Sequence, residues 1–365
     1  MKKIFFSILC VLFVFSSCQK EIKNNSKTDD NYTECGGIPF DFSTGALVIN
    51  EGSFQGSGKV FHYNLVTNAI SKNLYLNANC DVPAGMFLQS AAIRQNRVYI
   101  VANGSGEIQV VDRNTFEYKK SIQLSYPRYM AFEQSRGFIT NGTINGYVYV
   151  LDEHDKIVDS VSVASGPNPI IASNGKILVG SLGSWDNTLF STITDSTVTI
   201  INPSDLSKKQ LLAWSKPTDF VEDKNGKVWV GCSGNGQYDY GNDKPPAFVK
   251  IDVLNEIVED TIIVGEAGNS ISKIAINPEK DIIYYYKSDG VYRLGINGEY
   301  KNEDVFIPTT GLYGIEVDPK SGDVFVFDAV DYSSAGMIRR YDSSGNQVAS
   351  VEVGVAPNGA VFYYN

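Results

Sequence analysis

Two histidines, His62 and His154, are all that a 365-residue chain offers for imidazole chemistry. His62 sits in "KVFHYN", an alternating stretch that reads as a strand, and His154 in "DEHDK", a plain turn. Neither position suits a base beside a nucleophile, so Ser/His/Asp and Cys/His groupings lack a candidate histidine. Asp186, Asp239, Asp243, Asp328 and Asp331 lie in loops and are of the type that holds Ca²⁺ or forms a glycosidase pair. However, "DYGND" (239–243) lacks the alternate spacing and bidentate Glu of a dedicated calcium loop, so solvated loop acids are the plainer account. Cys35, Cys80 and Cys232 show no CxxC or Cys/His spacing for zinc. The expectation is a non-enzyme with no metal and no cofactor. What the chain does hold is a set of flat and amphipathic side chains in loops: Phe54, Gln55, Tyr126, Arg128, Trp185, Asn187, Tyr238, Tyr240, Tyr313 and Tyr332. Rigid aromatics interleaved with adaptable polar neighbours make a recognition surface.

Composition narrows the partners. The chain carries 31 basic and 41 acidic residues, a net charge of −10, so a basic footprint for a phosphate backbone is lacking and nucleic acid is not an expected partner. With 21 Tyr, 19 Phe and 33 Gly the chain reads as strands and turns, since aromatics favour pleated surfaces and Gly supplies positive φ between them.

The elements that must position these loops repeat. "GALVIN" (45–50), "NRVYIVAN" (96–103), "RGFITNG" (136–142), "GKILVG" (175–180), "GKVWVG" (226–231), "DIIYYYK" (281–287) and "GDVFVFD" (322–328) are versions of one strand, spaced by 51, 39, 40, 51, 54 and 42 residues. A period in the forties signals repeated sheets. Each copy is followed by an alternating strand that mostly ends in Asp or Asn, as in "EIQVVD" and "YVYVLD", and then by a third and a fourth strand. Seven units of four short strands specify an all-β protein, a seven-bladed β-propeller. The first unit starts without an innermost strand, while "APNGAVFYYN" (356–365) is an innermost strand without a unit. The C-terminal strand is therefore expected to complete the first blade and close the ring, removing an open sheet edge. No helical periodicity competes after residue 40.

In such a blade the loop between strands two and three shares a face with the blade-to-blade connection. The long insertions "GSLGSWDNTLFSTITDS" (180–196) and "GCSGNGQYDYGNDKPPA" (231–247) fall there, as do 50–59, 77–87 and 328–336. The opposite-face turns are short. Binding groups concentrate on elaborated loops of a rigid scaffold, so this face is the expected site.

The N-terminus is an address. Lys2 and Lys3 precede an apolar run from Ile4 to Phe15, too short for a membrane span of about 20 residues. Ser16-Ser17-Cys18 resembles the lipobox of bacterial lipoproteins, with Phe15 where that pattern usually has Leu. That resemblance implies a signal peptide over 1–17, lipidation of Cys18 and a polar, flexible tether over 18–44, with the propeller occupying 45–365. Gln19-Lys20-Glu21 resembles the short charged signal that sends some lipoproteins to the outer face of the outer membrane. In an exported chain Cys35 and Cys80 could pair, and buried free thiols fit the sequence equally well.

The stretch "LVINEGSFQGSGKVFHYN" (47–64) resembles the opening of surface-propeller lipoproteins of gut Gram-negative bacteria, relatives of the YncE and YVTN-repeat proteins. Similarity runs through the blade count and the lipidated start. The BtuG-type branch of that group captures vitamin B12 and other corrinoids and passes them to a TonB-dependent transporter, BtuB. What the resemblance implies here is a lipid-anchored outer-membrane protein, exposed at the cell surface, with a corrinoid or similar small-molecule ligand on its elaborated face and a BtuB-like partner. An adhesive or scaffolding propeller binding glycan or protein would use the same surface, and a propeller hydrolase or lyase would need the loop acids to chelate a metal.

Overall fold

In a computed structural model the described residues are Phe42, 44–236, 239–240, 244–301 and 304–364. The signal peptide, Cys18, Cys35 and most of the proposed tether lie outside them, as do Tyr238 and Asp243.

The second strand of every unit is apolar nearly throughout. "ALVI", "VYIV", "KILVG" and "VFVF" carry no alternation, the pattern of strands covered on both faces. The fold provides the two covers. Residues on one face of such a strand pack against the preceding sheet and those on the other face against the following one. Leu47 and Ile49 join a cluster with Leu88, Val98 and Ile100 of the next unit, whereas Ala46 and Val48 join Phe325, Phe327 and Ile338 of the last. The buried residues form seven such clusters, one between each pair of neighbouring sheets. There is thus no central oil drop; the core is a wheel of apolar wedges.

Seven antiparallel four-stranded sheets result, together with one two-stranded hairpin. Their innermost strands are Leu88–Arg94, Pro127–Glu133, Pro167–Ser173, Pro217–Glu222, Ile274–Ile276, Leu312–Val317 and Pro357–Tyr364, for blades 2 to 7 and then blade 1. Each packs against the next around the ring. Blade 1 is built from both ends of the propeller: Thr44–Asn50 pairs with Pro357–Tyr364, Thr44 opposite Tyr364 and Ile49 opposite Gly359. Closure by the C-terminal strand follows the expectation.

Two details differ from the sequence reading. A one-turn helix, Leu74–Ala78, follows the short outermost strand of blade 1 and buries Tyr75 and Ala78. Its five residues are too few to give a period. Insertion 180–196 is not a loop but a hairpin, Gly183–Asp186 against Ser191–Thr194. Cys80 is disulfide-bonded, its partner outside the described residues, while Cys232 is a buried free thiol.

Candidate functional site: the mouth of the channel

The loop 51–58 links three blades through its backbone. Glu51 N–H donates to the Ala356 carbonyl at 2.9 Å, Gly58 N–H to that of Gly85 at 2.9 Å, and Leu88 N–H donates back to the Glu51 carbonyl at 3.2 Å. Such close passage explains the small residues: a Cβ on Gly58 would stand 2.4 Å from Leu88 Cγ. Phe54 is then lifted off the surface, 86% exposed, with its ring edge-on to Phe87 at 5.4 Å. Beside it, Tyr313 donates its hydroxyl hydrogen bond to Glu51 and packs edge-on against Tyr332 at 5.1 Å.

Most innermost strands enter the ring through an irregularity in pairing, as between Leu88 and Ser90, Pro127 and Met130, Pro217 and Asp219, or Leu312 and Gly314. The strand starts of blades 2 to 7 carry one polar residue each, Gln89, Arg128, Asn168, Thr218, Lys273 and Tyr313, all but Lys273 next to such a kink. They form a collar. Arg128 donates to Gln89 Oε1 at 2.7 Å and to Asn168 Oδ1 at 2.9 Å, tying blades 2, 3 and 4. Tyr129 oxygen accepts from Gln89 Nε2 at 3.1 Å and from Lys273 Nζ at 2.8 Å, and Lys273 belongs to blade 6, across the ring. In blade 1, Asn358 Nδ2 reaches the Leu88 and Gln89 carbonyls at 3.0 and 3.1 Å.

Beneath the collar lies a cavity of about 490 Å³ lined by Gln89, Tyr129, Asp219, Lys273, Glu316 and Asn358 among others. Its charges are few and close. Burial by itself would lower the Lys273 ammonium, but the Tyr129 oxygen and the carboxylates of Asp219 and Glu316 hold it above its ordinary value. Burial raises Asp219, against the pull of Lys273. Burial also pushes Glu316 up to about 8, with Lys273 opposing and Asp219 adding.

The side chains singled out in the sequence divide among these features. Arg128 is a collar residue, while Tyr313 with Tyr332, and Phe54 with Phe87, form aromatic pairs at the mouth. Gln55 is exposed next to Phe54, and Tyr126 is exposed at the entry to blade 3. Trp185 and Asn187 stand on the inserted hairpin. That hairpin meets the blade 5 loop, where Tyr240 N–H donates to the Thr192 carbonyl at 2.9 Å. The loop acids are tied into structure. Asp239 accepts from Lys216 Nζ at 2.9 Å and Gly236 N–H at 2.6 Å, Asp186 caps Thr188 and Leu189, Asp331 caps Ser333 and Ser334, and Asp328 pairs with Arg339. Among the described residues no three metal-ligating side chains converge. His62 is buried in the third strand of blade 1 and His154 lies in an opposite-face turn.

Large apolar side chains left exposed are distributed unevenly between the faces. Phe54, Met86, Tyr126, Ile144, Trp185, Leu189, Phe190, Ile193, Tyr240, Val330 and Tyr332 lie on the collar face; the opposite turns expose Val66 and Leu254, and Val82 lies beside Glu117 and Tyr118 at the outer strand of blade 2. The remainder sit on the blades' strands.

A family model described as a domain of unknown function, DUF5074, matches residues 44–364, the whole propeller. The chain belongs to this family. Among solved structures the DUF5074 propeller is similar to a quinonprotein alcohol dehydrogenase-like protein from Bacteroides thetaiotaomicron, with a TM-score of 0.66 and 17% identity over 88% of this chain and 78% of that one. It is also similar to the hydrazine synthase of Kuenenia stuttgartiensis (TM-score 0.54, 12% identity, 74% and 92% covered) and to the Pan2 WD40 domain of Neurospora crassa (0.53, 11%, 75% and 81%). At such identities the shared feature is the fold. No curated protein matches the chain.

Gln89, Tyr129, Asp219, Lys273 and Glu316 are not among the loop residues that the sequence of this DUF5074 chain singles out. Their signal is weak but present: each is a polar residue inside or next to a segment that should be an innermost strand, as in "YMAFEQ" and "GIEVDP". Such residues mark a lined channel once the ring is recognised.

Proposed function

We propose that this DUF5074 propeller is a binding protein, not an enzyme, that captures a broad, flat, amide-rimmed nutrient, a corrinoid, on its collar face. It does so as a lipoprotein held at the outer surface of the outer membrane through Cys18, and it passes the ligand to a TonB-dependent transporter of the BtuB kind. The observation that carries the proposal is the one-sided placement of exposed aromatic and aliphatic groups around a mouth ringed by Gln, Asn, Thr and Tyr together with Arg128 and Lys273. A flat macrocycle needs apolar panels for its ring and many neutral hydrogen-bond partners for its rim, and both are present. A closed ring of wedges holds those groups in place before binding, so little conformational entropy is lost on capture.

A second use, docking to a glycan or a protein, draws on one specific feature. The inserted hairpin exposes Trp185, Leu189, Phe190 and Ile193 together on a two-stranded element. Gel filtration of the purified chain mixed with cyanocobalamin separates the two. A red band moving with the protein at micromolar concentration is expected; colourless protein would remove the corrinoid and leave the hairpin use standing.

A further inference from the structure

The charged groups of the channel have no part yet in holding a flat ring, and their spare bonding capacity is specific. Lys273 Nζ has three hydrogens, and among the described residues the Tyr129 oxygen is the partner available to it. Two donors remain. Tyr129 already accepts twice, from Lys273 and from Gln89, so its own hydroxyl hydrogen is free to donate. Asp219 accepts the Phe220 N–H at 2.9 Å on one oxygen and the Ile274 N–H at 3.2 Å on the other, which leaves each oxygen a lone pair. Glu316 takes a backbone hydrogen bond from Ala360. All four side chains line one cavity of about 490 Å³.

A free anion in that cavity would sit on Lys273 but face two carboxyl groups. A free cation would sit on those carboxyls but face the ammonium. A neutral group with an acceptor and a donor on the same carbon meets both sides and carries no charge out of water. We propose that the channel below the collar holds one propionamide arm of the ligand, its carbonyl oxygen on Lys273 and Tyr129 and its NH₂ on Asp219 and Glu316. This builds on the corrinoid capture proposed above, since a corrinoid rim carries several acetamide and propionamide arms. The apolar panels of the mouth then take the ring while the channel fixes its rotation, so that one arm differs from all others.

The test uses the purified full chain, cyanocobalamin, and its monocarboxylic acids in which a single propionamide is hydrolysed to a carboxylate. Isothermal titration gives the affinity of each. One acid is expected to bind about 10- to 100-fold more weakly than the parent, the scale of a lost hydrogen bond to a charged group, while the other acids bind like the parent. Lys273→Met is expected to weaken the parent by a similar factor and to abolish the discrimination. Equal affinity of every acid, tighter binding of an acid, or unchanged binding by Lys273→Met would each overturn the carboxamide site and leave corrinoid capture intact. Absence of binding by the unaltered chain to any of these compounds overturns both. The comparison of acids needs no variant, so it stays decisive even if Lys273→Met does not fold.

Discussion

A carboxyl held neutral beside an ammonium makes the stability of this propeller depend on pH. Glu316 is raised by burial to about 8, so the folded chain keeps a proton there that the unfolded chain releases near its ordinary value of 4.5. The stability tied to that proton is complete below about 4.5 and is lost as pH rises through about 8. Asp219 is raised as well and acts in the same direction, while Lys273 faces both and stays charged through the window. Glu316→Gln is expected to flatten the decline; thermal midpoints recorded from pH 5 to 9 for both proteins check it, and parallel curves would count against it. A second buried carboxylate is structural. Asp155, with a side chain 0% exposed, accepts from Tyr99 at 2.5 Å and Arg97 at 2.5 Å and forms an ion pair with Lys120 at 3.0 Å. Asp155→Ala leaves the buried Tyr99 hydroxyl unmatched, while Arg97 and Lys120 keep solvent and the Glu153 and His154 carbonyls, and it is expected to cost about 1–3 kcal/mol in urea unfolding. Nothing in "DEHDK" announces that role, because all three partners come from the neighbouring blade.

Turn chemistry, by contrast, is legible one element at a time. The strands that end in Asp or Asn behave as their composition says: Asn64 accepts from Val66 and Thr67, Asp112 from Asn114, Asp152 from His154, Asp342 from Ser344. The inserted hairpin was not legible. Its strands are four residues each, below the length at which alternation speaks. Gly183 has φ +91°, and a Cβ there would come within 1.9 Å of the Ile193 carbonyl oxygen. Gly183→Ala is expected to unpair the hairpin while the seven blades stay folded. Amide exchange should then become fast at Trp185 and Thr192 and remain slow at the second strands, such as Val98–Val101. If the hairpin amides stay protected, Gly183 does not set the pairing.

At the scale of the whole molecule, closure is a single joint. Blade 1 takes its innermost strand from the end of the chain, and Asn50 Oδ1 accepts the Gly354 N–H at 2.8 Å where the two ends overlap. Removing residues 357–365 exposes the inner edges of blade 1 and uncovers the apolar wedges that Tyr363 and Phe362 help fill. The loss is comparable with the ~5–15 kcal/mol that holds a typical domain together, so the truncated chain is expected to unfold or aggregate at 25 °C. Circular dichroism and light scattering on the truncated chain check it; a cooperative melt near that of the intact protein would show that the ring is not held by this strand.

The sequence by itself determined the strand type and the turn residues, because each is written within one repeat, and the count of blades and the joint, because comparing the repeats end to end shows how many there are and which strand the first one lacks. It also determined that one face carries the long insertions. Only the tertiary structure decided which side chains share the channel. Lys273 and Tyr129 lie 144 residues apart and meet because blades 6 and 3 stand on opposite sides of a closed ring. No local pattern encodes a distance across an axis; seven sheets must first pack, and the twist and kinks of their innermost strands then set which polar residues face one another.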